Sequence, residues 1–154
     1  MNRRMFFQGL GLLGLMGAPC VYAQALAKPL PLVTVYKNPL CGCCTQWVEH
    51  LQAEGFETKV IEVEDTSPHR KRLGIPDAAA SCHTAEVAGY GLEGHVPASE
   101  IKAVLAQRPR IKALAVPGMP ANSPGMGPAV GPAFKVMQVL ADGSVSVYSS
   151  WPRR

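Results

Sequence analysis

The sequence has no long basic stripe, no internal repeat and no glycine-rich phosphate loop after a predicted strand. Its net charge of +4 is scattered, so it presents no electrostatic footprint for nucleic acid. No nucleophile, histidine and carboxylate stand together in a way that points to hydrolysis. Charged residues make up only 17% of the chain against 47% hydrophobic, which excludes general disorder. The longest early apolar run is too short for a membrane-spanning helix of ~20 residues. Cysteine is sparse as well: five in 154 residues cannot make a disulfide-dense scaffold. The length suits one domain with a real core. What the sequence does have is concentration, because Cys41, Cys43 and Cys44 fall within four positions.

Residues 1–23 read as an export signal, removed by cleavage after Ala23. Arg3 and Arg4 form the positive start, an uncharged apolar stretch follows, and Val21-Tyr22-Ala23 precedes the cut. Asn2-Arg3-Arg4-Met5-Phe6-Phe7 is similar to a twin-arginine motif, but paired arginines also occur in general secretory signals, so both routes stay open. Pro19 directly before Cys20 argues against lipidation. Cleavage leaves four cysteines, no stable membrane anchor, and a periplasmic chain in a compartment that permits disulfides.

Residues 24–31 form a linker, and 32–150 form one domain. Leu32-Val33-Thr34-Val35-Tyr36 is a buried strand by composition. The cysteine cluster follows, then a helix with Trp47, Val48 and Leu51 on one face and Gly55 at its stop. Residues 58–63 alternate as a second strand. Ser67 caps a short helix with Pro68 in its first turn, ending at Gly74. Two strands at 84–87 and 90–92 flank Gly89, and Pro97 opens a third helix carrying Ile101, Val104 and Leu105. The order β-α-β-α-β-β-α, with a Cys-x-x-Cys at the first helix start, predicts an α/β, thioredoxin-like core. A loop rich in proline, glycine and methionine spans 116–132, and its length marks it as functional or mobile. A C-terminal β-hairpin closes the chain, with its turn at Asp142-Gly143.

Cys41 and Cys44 stand at i, i+3 at a helix N-terminus, where free N–H groups favour a thiolate. That suits a redox dithiol or a metal. Cys43 decides against the simplest redox reading, because a third thiol competes with the other two and a vicinal disulfide is strained. Converging thiols suit a soft metal. Cys82, in Ser81-Cys82-His83-Thr84, falls where thioredoxin-like folds usually carry a cis-proline facing the dithiol. Four thiolates around one Cu(I) leave three negative charges, and around one Zn(II) two. Four bridging thiolates with four Cu(I) ions are neutral, which a partly apolar site favours. Several Cu(I) ions are therefore expected, with a single Zn(II) as the alternative.

Other donors rank below the cysteines. His83 adjoins Cys82 and stays open as a further metal ligand, although strand alternation would turn it to the other face, where it would only flank the site. Met119 and Met126 offer uncharged thioethers. His95 reads as a helix-entry residue, with a role behind the ligands as the alternative, His50 and His69 as exposed helix residues, and Trp47 and Tyr36 as core.

Cys41-Gly42-Cys43-Cys44 with Trp47-Val48 and Gly55-Phe56, then Ser81-Cys82-His83-Thr84, Glu93-Gly94-His95-Val96-Pro97, Val116-Pro117-Gly118-Met119-Pro120 and Ser123-Pro124-Gly125-Met126, resemble the DUF411 family, which includes CopG-type periplasmic copper-resistance proteins. The resemblance covers about residues 33–148. It implies a thioredoxin-like fold, a site in which Cys41, Cys43, Cys44 and Cys82 bridge several copper ions, and a role in copper and silver tolerance. Storage, handover to periplasmic efflux or chaperone proteins, and Cu(I)/Cu(II) interconversion all fit. Besides copper homeostasis, a copper oxidoreductase, a thiol-disulfide oxidoreductase using Cys41 and Cys44, and a structural zinc module stay open.

Overall fold

The β-branched run after the linker forms the first strand, β1 (Val33–Lys37), in a computed structural model that describes residues 28–153. Then come α1 (Gly42–Ala53), β2 (Thr58–Glu62), α2 (Ser67–Arg72), a 3-10 turn at Asp77–Ala79, β3 (His83–Val87), β4 (Tyr90–Gly94) and α3 (Ala98–Gln107). To this point the element order is the one read from the sequence. Three more strands complete the chain: β5 (Ile111–Val116), β6 (Phe134–Leu140) and β7 (Val145–Trp151).

All seven strands join one mixed sheet in the order β2-β1-β3-β4-β5-β6-β7. β1 pairs with β2, and β4 with β5, in parallel; the other pairs are antiparallel. One face carries the larger core. There Trp47, Val48 and Leu51 of α1 and Ala98, Ile101 and Val104 of α3 pack on Val33, Val35, Leu92, Leu114 and Val116. The other face is thinner, with Ile75 and Ala79 over Ala113, Ala115 and Val139.

β5 is absent from the sequence reading, and its residues explain why. Ile-Lys-Ala-Leu-Ala-Val holds two alanines, which carry little strand propensity. Its place comes from its neighbours: between β4 and β6 it puts Ala113 and Ala115 on the thin face and Leu114 and Val116 on the thick one. The loop therefore starts at Pro117, and the C-terminal hairpin extends the main sheet through β5.

Smaller corrections follow the same logic. The cap of α2 is Thr66 rather than Ser67, because the Asp65 carboxylate accepts the Ser67 N–H at 2.8 Å and draws the turn one residue earlier. The domain runs past residue 150, since Arg153 forms a two-pronged ion pair with the fully buried Glu100 of α3. The expected export signal, with Cys20, lies outside the described residues. Of the linker, Leu30 packs against the core. Among the described residues, no helix is long and apolar enough to cross a membrane.

Candidate metal centre

The first turn of α1 carries the cysteine cluster. Cys41 is the N-cap residue and Cys43 and Cys44 lie in the first turn. Cys44 continues the inward stripe of Trp47, Val48 and Leu51, so it is fully buried, while Cys41 and Cys43 are part-exposed. Cys41 and Cys44 are joined in a disulfide; Cys43 and Cys82 are free. Cys43 Sγ lies 3.5 Å from Cys41 Sγ, and Cys44 Sγ lies 3.7 Å from the Cys82 carbonyl. All four sulfurs fall within 4.8 Å of one another.

Cys82 arrives on the neighbouring strand, since β3 pairs with β1 and Lys37 lies opposite His83. It sits just before β3, on a segment pinned by a buried carboxylate. Glu93 of β4 accepts the Ser81 N–H at 2.8 Å and the Thr84 hydroxyl at 2.7 Å, which bracket Cys82 and His83. Arg70 of α2 stands 3.9 Å from the same carboxylate. Burial pushes the Glu93 carboxyl up to about 7 against these partners. Gly94 makes the close approach possible. At its φ of +67°, a Cβ there would lie 2.3 Å from Ser81 Oγ and 2.8 Å from the Val116 carbonyl.

Beneath Cys82 lie two histidines. His83 Nδ1 is 3.4 Å and His95 Nε2 3.1 Å from Cys82 Sγ, and both rings are fully buried. The Trp47 ring covers His83 at 4.3 Å and its indole N–H donates to the Val96 carbonyl at 2.9 Å. Burial, with His95 next, lowers the His83 pKa to about 3. Burial also lowers His95, opposed by the Pro124 carbonyl. Both rings are thus neutral, as ligands must be. Burial first, then the Cys43 thiol, pushes the Cys82 thiol up to about 12. A bound cation would reverse that shift by favouring the thiolate.

The methionine loop folds onto α1. A Cβ at Gly125, whose φ is +89°, would lie 2.7 Å from both the Cys43 carbonyl and the Trp47 amide nitrogen, so the loop meets the cysteine turn there with no room to spare. Ser123 is fully buried; its hydroxyl donates to the Pro120 carbonyl at 2.6 Å, and Asn122 Nδ2 ties the loop to the Pro132 carbonyl at 3.0 Å. Met119 and Met126 stay at the surface, 41% and 38% exposed.

Two solved chains of copper resistance protein CopG are similar to this one throughout their length. Form 2 is 39% identical, covers 81% of this chain and 100% of its own, and superposes with a TM-score of 0.73. Form 1 is 38% identical, with 82% and 100% covered and the same TM-score. The sequence profile of DUF411, described as a protein of unknown function, matches residues 79–126. The chain belongs to the DUF411 family of CopG-type proteins. No curated protein matches it.

In this DUF411 chain the four predicted cysteines converge, and the expectations for all four histidines change. His83 does not point away from Cys82: β3 begins at His83, so the alternation of a regular strand does not span the Cys82–His83 step, and the ring turns toward the sulfur. His95 is no mere helix-entry residue, since β4 ends at Gly94 and the turn carries the ring under Cys82. The sequence signal that could have found it is the Gly94-His95 pair, a glycine needed for close approach beside a donor. His50 and His69 are part-buried rather than exposed. His50 Nε2 accepts the Ala98 N–H at 3.2 Å, serving the start of α3, and His69 stacks on Tyr36 at 3.8 Å between ring centroids.

Proposed function

We propose that this chain is a periplasmic copper-resistance protein with a thioredoxin-like fold that takes copper as its cargo, holding Cu(I) on Cys41, Cys43, Cys44 and Cys82 once the disulfide is reduced. The observation that carries the reading is the convergence of four sulfurs within 4.8 Å, three from one helix turn and one from a distant segment. Soft thiolates select Cu(I), and sulfur donors this close together can bridge ions. The likeness to copper resistance protein CopG supports the metal. Met119 and Met126, on the loop that abuts the cysteine turn, are proposed as auxiliary thioethers. The cargo then passes to efflux or chaperone proteins, is stored, or changes oxidation state.

The test is an anaerobic Cu(I) titration of the reduced protein against a competing chelator, with metal analysis of the saturated product. Several tightly held ions per chain are expected, and Cys43→Ser should cripple binding. Copper held with undiminished affinity by that variant would remove the cluster.

A second reading draws on the Cys41–Cys44 disulfide, the pair a thiol-disulfide oxidoreductase would use. It predicts reduction of a disulfide substrate such as insulin, with full activity kept in Cys43→Ser.

A further inference from the structure

The end of the sheet away from the cysteines carries a groove. Cys82 precedes β3 and Ala88 follows it, so the two ends lie roughly 20 Å apart along the strand. Pro29, Leu30 and Pro31, ahead of β1, make one wall of the groove, and Leu105 and Ala106 of α3 make the other. Leu30 and Leu105 also pack against the larger core, which holds both walls in place. The enclosed volume is about 540 Å³. Small-molecule sites usually enclose about 300–1,000 Å³ and are mostly apolar.

Three cations, Lys28, Lys102 and Arg108, line the same groove. Lys102 is engaged, with its ammonium 2.8 Å from the Glu54 carboxylate. Lys28 and Arg108 have no ion-pair partner among the described residues. The backbone gives Arg108 further meaning. It ends α3 in the left-handed region, at a φ of +50°, where glycine is the ordinary residue. Ala88 opens the two-residue turn between β3 and β4 at a φ of +47°, where glycine or asparagine is usual. Among the described residues three that are not glycine have a positive φ, and two of them line this groove. Side chains kept where the backbone favours none point to a use for those side chains.

We propose that this groove binds a single-chain anionic amphiphile, an acyl chain that ends in a carboxylate. The chain lies between Leu30 and Leu105, and the carboxylate meets Arg108 and Lys28. Apolar walls offer nothing to a small hydrophilic anion, and unpaired cations gain nothing from a neutral hydrocarbon. A molecule with both parts uses the whole lining. A guanidinium accepts a carboxylate through two parallel N–H bonds, which gives the head group a defined place. The groove shares no residue with the cysteine site, so the proposal is independent of the copper reading.

The test is calorimetric titration of the purified protein with dodecanoate, kept below its micelle concentration. One dodecanoate per chain is expected, with a negative heat-capacity change from apolar burial. Dodecanol, which has the chain without the charge, should bind at least about 10-fold more weakly. Arg108→Gly relieves the left-handed backbone and removes the cation together. It should raise the urea unfolding midpoint yet weaken dodecanoate binding at least about 10-fold. An arginine that serves only to end the helix would give the first effect without the second. Ala106→Phe, at an exposed helix position, fills the groove and should abolish binding while the unfolding midpoint is kept. No dodecanoate binding, equal binding of dodecanol, or affinity unchanged in Arg108→Gly or in Ala106→Phe would each overturn the site. Vesicles of equal parts phosphatidylglycerol and phosphatidylcholine separate a free amphiphile from a membrane. Protein that binds these vesicles but no free dodecanoate would have a membrane-facing surface here, and the proposal would fail.

Discussion

Cys41, Cys43 and Cys44 ride on one helix turn at the rim of the site, whereas His83, Glu93 and His95 lie wholly buried beneath Cys82. The rim is local. Consecutive residues at a helix start put three sulfurs together whatever the rest of the chain does, and that end of the helix favours thiolates. The floor is assembled from β3, β4 and the turn into α3, and is fixed by one carboxylate that holds Ser81 and Thr84. Donors at the rim can therefore be exchanged with local consequences. Donors on the floor depend on residues that never touch a metal.

The sharpest way to break this contrast is at the atom that joins the two regions. Cys82→Ser should reduce Cu(I) affinity in the reduced protein by more than about 100-fold, beyond the range usual for outer-shell changes. Competition against a chelator measures it, and an unchanged affinity would make the rim sufficient alone. Next comes the floor's close approach. Gly94→Ala forces a Cβ to within 2.6 Å of Ser81 Cβ and 2.8 Å of the Val116 carbonyl at a positive φ, so a loss of about 2–4 kcal/mol is expected in urea unfolding. Stability equal to wild type would show that the segment bearing Cys82 is free to shift.

At the rim, Gly125→Ala should cost about 1–3 kcal/mol, because the added methyl group meets backbone atoms of α1. If the loop only covers the site, copper stoichiometry stays constant while the unfolding midpoint falls; a change in stoichiometry would bring the loop into the binding set. The smallest effect lies away from both regions. His50→Ala removes the acceptor for the Ala98 N–H and should cost about 1 kcal/mol at pH 7.5. Burial lowers the His50 pKa, so the folded state binds fewer protons than the unfolded one below about pH 6.5. The stability held by neutral His50 is thus fully present above that pH and is lost as pH falls toward the lowered folded value. Unfolding curves at pH 7.5 and pH 5 should lie closer together in His50→Ala than in wild type; an unaltered gap would place the acid sensitivity elsewhere.

Much of the fold was legible. β1, α1 and β6 have the composition and punctuation of their type, and the element order through α3 followed from them. β5 was not, because an alanine-rich strand is made by the partners on either side of it rather than by its own preferences. The site divides the same way. The Cys41–Cys44 cluster is visible as spacing. The turning of His83 toward Cys82 is not, since alternation applies only inside a regular strand and Cys82 stands just outside one. His95 reads as structural in the sequence because a single histidine before a helix carries no mark of the segment that precedes the adjacent strand.

The sequence by itself determined that three thiols would crowd one helix start, because local spacing along a helix needs no partner to be expressed. Only the tertiary structure decided what those thiols face. Strand pairing brings Cys82 and the two histidines from distant stretches of chain, and burial sets their protonation, and both depend on the packed sheet rather than on neighbouring residues.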